Sequence, residues 1–188
     1  MKISGGKFRG KNIFMPEGIR PTQNIVRKAL FDIIGHDLEG IEFLELFAGS
    51  GAVGIDAISR NAKKVTFVEK ERKCVDTIGQ NIGMLALTPD IDYDSPYEVL
   101  HIDAYVAIKR FFEQKRTFDV VFVDPPYSRG LAKKALKTLV DYDILQPNSL
   151  VIIQHDKQEI LPNELGSFLL FRKKKYGASF LSIYNINM

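Results

Sequence analysis

The chain is 188 residues long, 45% hydrophobic and 26% charged, with a formal net charge of +3, which suits one globular domain with a sizeable core and excludes a low-complexity or disordered chain. No apolar run approaches the roughly 20 residues that span a bilayer, Met1-Lys2-Ile3-Ser4-Gly5-Gly6 carries no signal-like apolar core, and Cys74 is the single cysteine. A transmembrane helix and a disulfide framework are therefore excluded, a reducing cytoplasm is the expected location, and Cys74 reads as a small buried side chain.

Residues 2–14 read as a short hairpin, with Gly5, Gly6 and Gly10 at turns. Phe8 and Phe14 are interleaved with Lys7, Arg9 and Lys11. Such rings either stack on nucleobases while the cations hold phosphates, or anchor the hairpin to the domain. Residues 1–36 hold seven basic side chains (Lys2, Lys7, Arg9, Lys11, Arg20, Arg27, Lys28) and two acidic ones (Glu17, Asp32). Positive charge gathered at one end suits an arm for a polyanion, and equally a solvated face.

Arg20-Pro21-Thr22 leads into a helix with Thr22 as its N-cap and Gly35 as its stop. Ile25, Ala29 and Ile33 share one side and Val26, Leu30 and Ile34 another, so a broad face is expected to be buried over the ligand end of the sheet. From Glu42 the pattern alternates, with strands near 42–47, 64–69, 98–102, 118–123 and 149–154 and helices near 52–60, 71–86, 104–115 and 130–142. That alternation predicts a parallel sheet with helices on both faces and right-handed crossovers. Asp90 to Tyr97 reads as a surface loop. Strands over 168–174 and 179–185, joined by a tight turn at Tyr176-Gly177, add an antiparallel hairpin at one edge. Residues 1–188 are expected to form a single domain, an arm over 1–20 and a catalytic core over 21–188.

Glu45-Leu46-Phe47-Ala48-Gly49-Ser50-Gly51-Ala52-Val53-Gly54 closes the first core strand and opens a helix. Gly49, Gly51 and Gly54 fit the G-x-G-x-x-G spacing that lets backbone approach a nucleotide-like ligand, and Glu69 follows 18 residues after Gly51, where a ribose-binding acid belongs. A dinucleotide would put its pyrophosphate at the helix N-terminus, beside which Glu45 is an awkward neighbour. S-adenosylmethionine carries a sulfonium and an ammonium instead, and a carboxylate at Glu45 suits it. Asp103, after the third strand, is placed to reach an adenine amino group or to cap the helix that starts at Ala104.

Asp124-Pro125-Pro126-Tyr127 follows the apolar run over 118–123 and stands at a strand's C-terminal end, where open α/β sheets bind ligands. The aromatic ring suits stacking on a flat base. Asp124 and the Pro125 carbonyl suit the two N–H bonds of an exocyclic amine. An amine held so pyramidalises and aims its lone pair at a methyl donor, and the acid stabilises the positive charge that grows on nitrogen. The base has to leave its own stack to enter.

Glu-Leu-Phe-Ala-Gly-Ser-Gly at 45–51, Val-Glu at 68–69, Asp103 and Asp-Pro-Pro-Tyr at 124–127 resemble class I S-adenosylmethionine-dependent methyltransferases of exocyclic amines. Gly-Gly-Lys-Phe-Arg-Gly-Lys at 5–11, Arg-Pro-Thr at 20–22 and Lys-Tyr-Gly-Ala-Ser-Phe-Leu-Ser-Ile-Tyr at 175–184 narrow the resemblance to the RsmD family, the bacterial 16S rRNA (guanine-966-N2)-methyltransferases. The resemblance implies an α/β, Rossmann-like fold with a seven-stranded, mostly parallel sheet whose last hairpin is antiparallel. It implies S-adenosylmethionine held by Glu45, Phe47, Ala48, Gly49, Ser50, Gly51, Glu69, Lys70, Asp103, Ala104 and Asp124. Asp124, Pro125, Pro126 and Tyr127 would receive a guanine N2. Lys2, Lys7, Arg9, Lys11 and Arg20 would contact 16S rRNA in the 30S subunit or its precursor. A monomer with no metal and no membrane partner is expected.

The chain departs from that pattern at Gln23-Asn24-Ile25, at Asn61 where glycine is usual, and at Gln154-His155 where an acid is expected to end the fifth strand. Arg172-Lys173-Lys174-Lys175 reads as a phosphate-binding face or as a solvated edge that deters aggregation. The competing readings are an adenine-N6 methyltransferase, which the tetrapeptide alone does not separate from a guanine-N2 enzyme, an NAD-binding domain, and a non-catalytic RNA-binding assembly factor.

Overall fold

A computed structural model describes residues 1–18, 22–85, 95–127 and 130–186. Arg20, Pro21 and the predicted loop over 90–94 lie outside the described residues. The elements run α1 (Asn24–Ile34), β1 (Glu42–Leu46), α2 (Ala52–Ser59), β2 (Lys64–Glu69), α3 (Arg72–Gly83), β3 (Tyr97–His101), α4 (Ala104–Glu113), β4 (Phe118–Val123), α5 (Leu131–Asp141), β5 (Leu145–Asp156), β6 (Glu164–Leu165), β7 (Phe168–Tyr176) and β8 (Ser179–Ile186).

One sheet of eight strands holds them in the order β3-β2-β1-β4-β5-β8-β7-β6. The pairs from β3 to β5 are parallel, and β8, β7 and β6 join antiparallel. The expected count of seven strands misses β6, whose two residues are too short to leave a periodic signal. The order reverses between β1 and β4, so the crevice at that switch point opens beyond the C-terminal ends of these two strands.

Side chains alternate across the sheet because the strand period is two. Phe43, Phe67, Phe122, Ile152 and Leu181 face a layer built by α1, α2 and α3, and Leu44, Leu46, Val121, Val123 and Ile153 face α4 and α5. Cys74 is buried on α3, and burial pushes its thiol up to about 11. No helix among the described residues is long and apolar enough to cross a membrane.

Two expectations for α1 change. Its N-cap is Gln23, with no side-chain bond, because the Thr22 hydroxyl is turned elsewhere. Ile25 is 60% exposed, while Val26 and Leu30 are buried as expected and are joined on that face by Arg27 and Phe31. Arg27 therefore leaves the basic arm. It is fully buried and donates to Asp56 Oδ2 at 2.6 Å, to the Lys2 carbonyl at 2.8 Å and to Asn24. Gly35 does end the helix, with its N–H on the Phe31 carbonyl. Asn61 takes the left-handed conformation after α2, at φ 67°, which asparagine tolerates better than most residues. The β7–β8 turn falls on Gly177-Ala178, one residue later than expected.

The N-terminal arm is a minimal hairpin with a single antiparallel bridge between Lys2 and Asn12. Ile3 and Ile13 are buried in the α1–α3 layer. Ser4 donates to both Asp56 carboxylate oxygens, at 2.7 and 2.9 Å, from its amide and hydroxyl. Lys7 and Phe8 place their amides on the Ser59 carbonyl and hydroxyl at the end of α2. On the β6 side the Leu170 amide still donates to the Asn163 carbonyl at 2.8 Å, and further along β7 Arg172 to Lys175 stand exposed.

Candidate active site

β1 and β4 are adjacent and parallel, with Leu46 opposite Val123, so the glycine loop and Asp124 leave the sheet side by side. The Asp124 amide donates to the Leu46 carbonyl at 3.4 Å, which extends the ladder one step past β4. The loop turns through three left-handed residues, Phe47 (φ 59°), Gly49 (φ 56°) and Gly51 (φ 72°). A non-glycine residue held in that region stores strain, and such strain gathers at ligand sites. The half-buried Phe47 ring meets Tyr105 of α4 edge-on at 5.8 Å, and Lys134 Nζ sits 4.0 Å over the Tyr105 ring.

Each acid around the loop has a definite partner. Glu45 is buried and accepts from the Gly54 amide at 2.8 Å, so it braces the first turn of α2. A Cβ on Gly54 would lie 2.3 Å from the Phe67 ring and 2.7 Å from that carboxylate, so only glycine fits the contact. Burial pushes the Glu45 carboxyl up to about 8, opposed by the Gly54 and Val53 amides and reinforced by Asp124 and Asp56. Glu69 is not a solvated strand end. It is buried and takes the Gly49 amide on Oε2 at 2.8 Å and the Lys70 and Glu71 amides on Oε1 at 2.8 and 2.9 Å. Asp103 does cap α4, receiving the Tyr105 and Val106 amides on Oδ1 alone at 2.9 and 3.4 Å. Lys70 is exposed beside the loop, while Ala48, Ser50 and Ala104 are buried under it.

The tetrapeptide after β4 is held from both sides. Thr22 Oγ1 donates to Asp124 Oδ2 at 2.8 Å, which brings the start of α1 onto the acid. Tyr127 Oη receives Gln154 Nε2 at 2.6 Å and shares a bond with Ser179 Oγ at 2.9 Å. Pro125 is buried and Pro126 exposed, with Asp124 and Tyr127 half-buried. The structure thus brings Glu45, Phe47, Gly49, Glu69, Asp103 and Asp124 to the C-terminal ends of the adjacent strands β1 to β4, with Tyr127 on the β5 side.

Sequence reasoning missed three residues here. Thr22 was assigned to helix capping, although its place beside Arg20-Pro21 marks it. Gln154 has no role in the sequence reading, and counting 118–123 against 149–154 puts it level with Val123; the observed register, with Val123 opposite Ile153, moves it level with Asp124. Asn81 is fully buried on α3, bonds both the amide and the carbonyl of Phe14 at 2.6 and 3.1 Å, and donates to the Ser50 carbonyl at 3.0 Å. It ties the arm to the glycine loop, and the signal was a polar residue on the same helix face as Ile78 and Ile82.

Of the arm residues, Lys2, Lys7, Arg9 and Lys11 are exposed. Phe8 is half-buried against the core with Lys7 Nζ and Lys11 Nζ at 5.2 and 5.0 Å from its ring, so it anchors the arm, while the Phe14 ring is 55% exposed. A cleft of about 450 Å³ opens at the arm's base, with Arg9, Lys28 and Arg60 in its wall. A second, of about 420 Å³, lies at the N-terminal ends of β1 and β4, around Glu42, Lys63, Arg116 and Asp119.

Residues 1–185 match the family model described as Conserved hypothetical protein 95. The ribosomal RNA small subunit methyltransferase D of Escherichia coli (strain K12) is 30% identical over 187 residues, covering 98% of this chain and 89% of its own. The protein of that name from Haemophilus influenzae is 33% identical over 163 residues, covering 86% and 81%. A solved structure from Escherichia coli superposes with TM-score 0.83 at 30% identity, covering 100% of this chain and 98% of its own. A SAM-dependent methyltransferase from Agrobacterium tumefaciens shares the fold, with TM-score 0.64 at 19% identity over 89% of this chain and 63% of its own.

Proposed function

Since the chain belongs to the family of the ribosomal RNA small subunit methyltransferase D proteins, we propose that it transfers a methyl group from S-adenosylmethionine to the exocyclic N2 of a guanine, position 966, in 16S rRNA. The substrate is the small ribosomal subunit or its assembly intermediate. The observation that carries this reading is the side-by-side exit of the glycine loop and Asp124 at the switch point of the sheet. The donor set around the loop supports a cationic cofactor: Glu69, Asp103 and Asp124 are acids, and neither a pyrophosphate nor its charge would be matched by them.

When bound, S-adenosylmethionine supplies an electrophilic methyl group on a sulfonium. Glu45 and the left-handed turn at Phe47 and Gly49 shape the loop that holds it, Glu69 orders the same loop through the Gly49 amide, and Asp103 lies toward the adenine side. Asp124 and the Pro125 carbonyl accept the two hydrogens of the guanine amine. They orient the nitrogen lone pair and stabilise the charge that develops on it, on the order of 3 kcal/mol for one well-placed group. No proton has to leave before attack, because the aromatic amine reacts as a neutral nucleophile. The surplus proton passes afterwards to Asp124 or water. Tyr127, fixed through Gln154 and Ser179, is the platform on which the base stacks. Lys2, Lys7, Arg9, Lys11 and Arg20 bind the RNA backbone.

Mass-spectrometric mapping after incubation with undermethylated 30S subunits tests this. One methyl group on the guanine N2 is expected from the wild-type chain and none from Asp124→Ala, with RNA binding retained. Methylation confined to DNA, or full activity of the variant, contradicts the reading.

A further inference from the structure

Gln154 holds a buried acceptor that no described residue uses. It sits one residue past the last paired positions of β4 and β5, where Val123 faces Ile153. It is therefore level with Asp124, about one strand spacing of ~4.8 Å away along the sheet. Two residues earlier, Phe122 and Ile152 both face the α1–α3 layer, so the period of two puts Asp124 and Gln154 on that same face. Contacts bear this out, since Asp124 meets Thr22 just before α1, and Gln154 meets Tyr127. The Gln154 amide nitrogen is committed to the tyrosine hydroxyl at 2.6 Å. Its Oε1 is closed off from solvent and has no hydrogen-bond partner among the described residues. An orphaned buried acceptor is costly, so it marks a place where a donor belongs in the working complex.

The chemistry of that donor follows from the neighbouring acid. If Asp124 holds an exocyclic amine, the ring atom next along the base edge lies toward β5. In guanine the N2 amine is flanked by N1, which carries a hydrogen, and by N3, a bare acceptor, and only the pose with N1 toward β5 gives the orphaned acceptor a donor. In adenine the atom beside the N6 amine is also N1, but it is a bare acceptor. A carbonyl facing it completes a hydrogen bond with guanine and meets a lone pair in adenine. We infer that Gln154 is the residue that selects guanine over adenine, its side-chain carbonyl accepting the ring N1–H beside the amine held at Asp124. This rests on the methyl-transfer reading above. Because Oε1 is covered, entry of the base includes a rotation of the Gln154 side chain or of the Tyr127 ring. The acid expected at this strand end would offer the same acceptor.

The test uses the full chain and reconstituted small subunits whose target guanine is replaced. 2-Aminopurine keeps the N2 amine but has no hydrogen on N1; 6-thioguanine keeps the N1 hydrogen and alters only position 6. With the wild-type chain, kcat/KM is expected to fall roughly 10- to 100-fold on 2-aminopurine, the usual consequence of leaving a buried acceptor unpaired, and to stay within about threefold on 6-thioguanine. Gln154→Leu is expected to narrow the guanine to 2-aminopurine ratio to about threefold or less, while Gln154→Glu keeps it wide. S-adenosylhomocysteine affinity should hold in both variants. A wild-type ratio near one overturns the inference, as does an unchanged ratio in folded Gln154→Leu. If that variant does not fold, the wild-type ratio and Gln154→Glu decide. A guanine N2 product with no dependence on N1 sinks this inference alone; absence of any guanine N2 product sinks the methyl-transfer reading with it.

Discussion

At the scale of single residues, the site is a set of carboxylates whose environments differ. Asp124 has one oxygen on Thr22, a bond that orients the carboxylate which the proposed mechanism sets against the amine. Thr22→Val keeps the shape and removes the hydroxyl. It is expected to lower kcat about tenfold, in line with loss of one hydrogen bond to a charged group, while leaving S-adenosylhomocysteine affinity alone. Thr22→Ser should restore turnover, and equal kcat in the valine variant would remove the bond from the mechanism. Glu45 differs because burial raises its carboxyl from 4.5 to about 8. A raised carboxyl binds its proton more tightly in the folded chain than in the unfolded one. Its favourable contribution is complete below pH 4.5 and disappears as pH rises through about 8. Thermal melts of wild type and Glu45→Gln should therefore diverge upward in pH. The wild type is expected to lose on the order of 5 °C relative to the variant between pH 5 and pH 9, and parallel curves would show that Glu45 does not titrate there.

At the scale of elements, the arm and the glycine loop are joined through α3. Asn81, itself fully buried, bonds Phe14 on one side and the Ser50 carbonyl on the other. Asn81→Ala leaves three backbone groups unpaired, at about 1–3 kcal/mol each where water does not replace the bond. A fall in stability of several kcal/mol is expected, with hydrogen exchange quickening at Phe14 and around Ser50 together. Exchange that changes on one side only would mean the two segments are held independently. The outer surface of the arm behaves differently, since Lys7, Arg9 and Lys11 are exposed. Changing all three to Glu should weaken RNA binding and flatten its salt dependence with cofactor affinity unchanged, as expected when phosphate contacts are lost. Binding measured at two salt concentrations checks it.

For the molecule as a whole, the arm is as much core as appendage. Ile3 and Ile13 are buried, and the Lys2 carbonyl and Ser4 supply partners for the buried Arg27 and Asp56. Removing residues 1–14 exposes apolar surface worth about 1.5–3 kcal/mol for each isoleucine and leaves buried polar groups short of partners. The shortened chain is expected to melt on the order of 10 °C lower or to aggregate. A truncation with the wild-type melting temperature would show that residues 15–188 stand alone.

The strand–helix alternation, the glycine loop after β1 and the acid after β4 were legible in the sequence because each rests on local rules: a period of two or 3.6, glycine's freedom at positive φ, and the place of a polar residue after an apolar run. Those rules also carried the antiparallel end of the sheet and the left-handed Asn61. They gave no account of β6, which is too short to have a period, or of Arg27, whose charge looked like part of a basic arm until Asp56 of α2 was seen against it. Thr22 on Asp124, Asn81 between Phe14 and Ser50, and Gln154 on Tyr127 join residues 102, 67 or 31, and 27 positions apart. Only the folded chain decides such pairs, because their hydrogen bonds depend on which strands are neighbours and which faces the helices cover, and no local pattern encodes that.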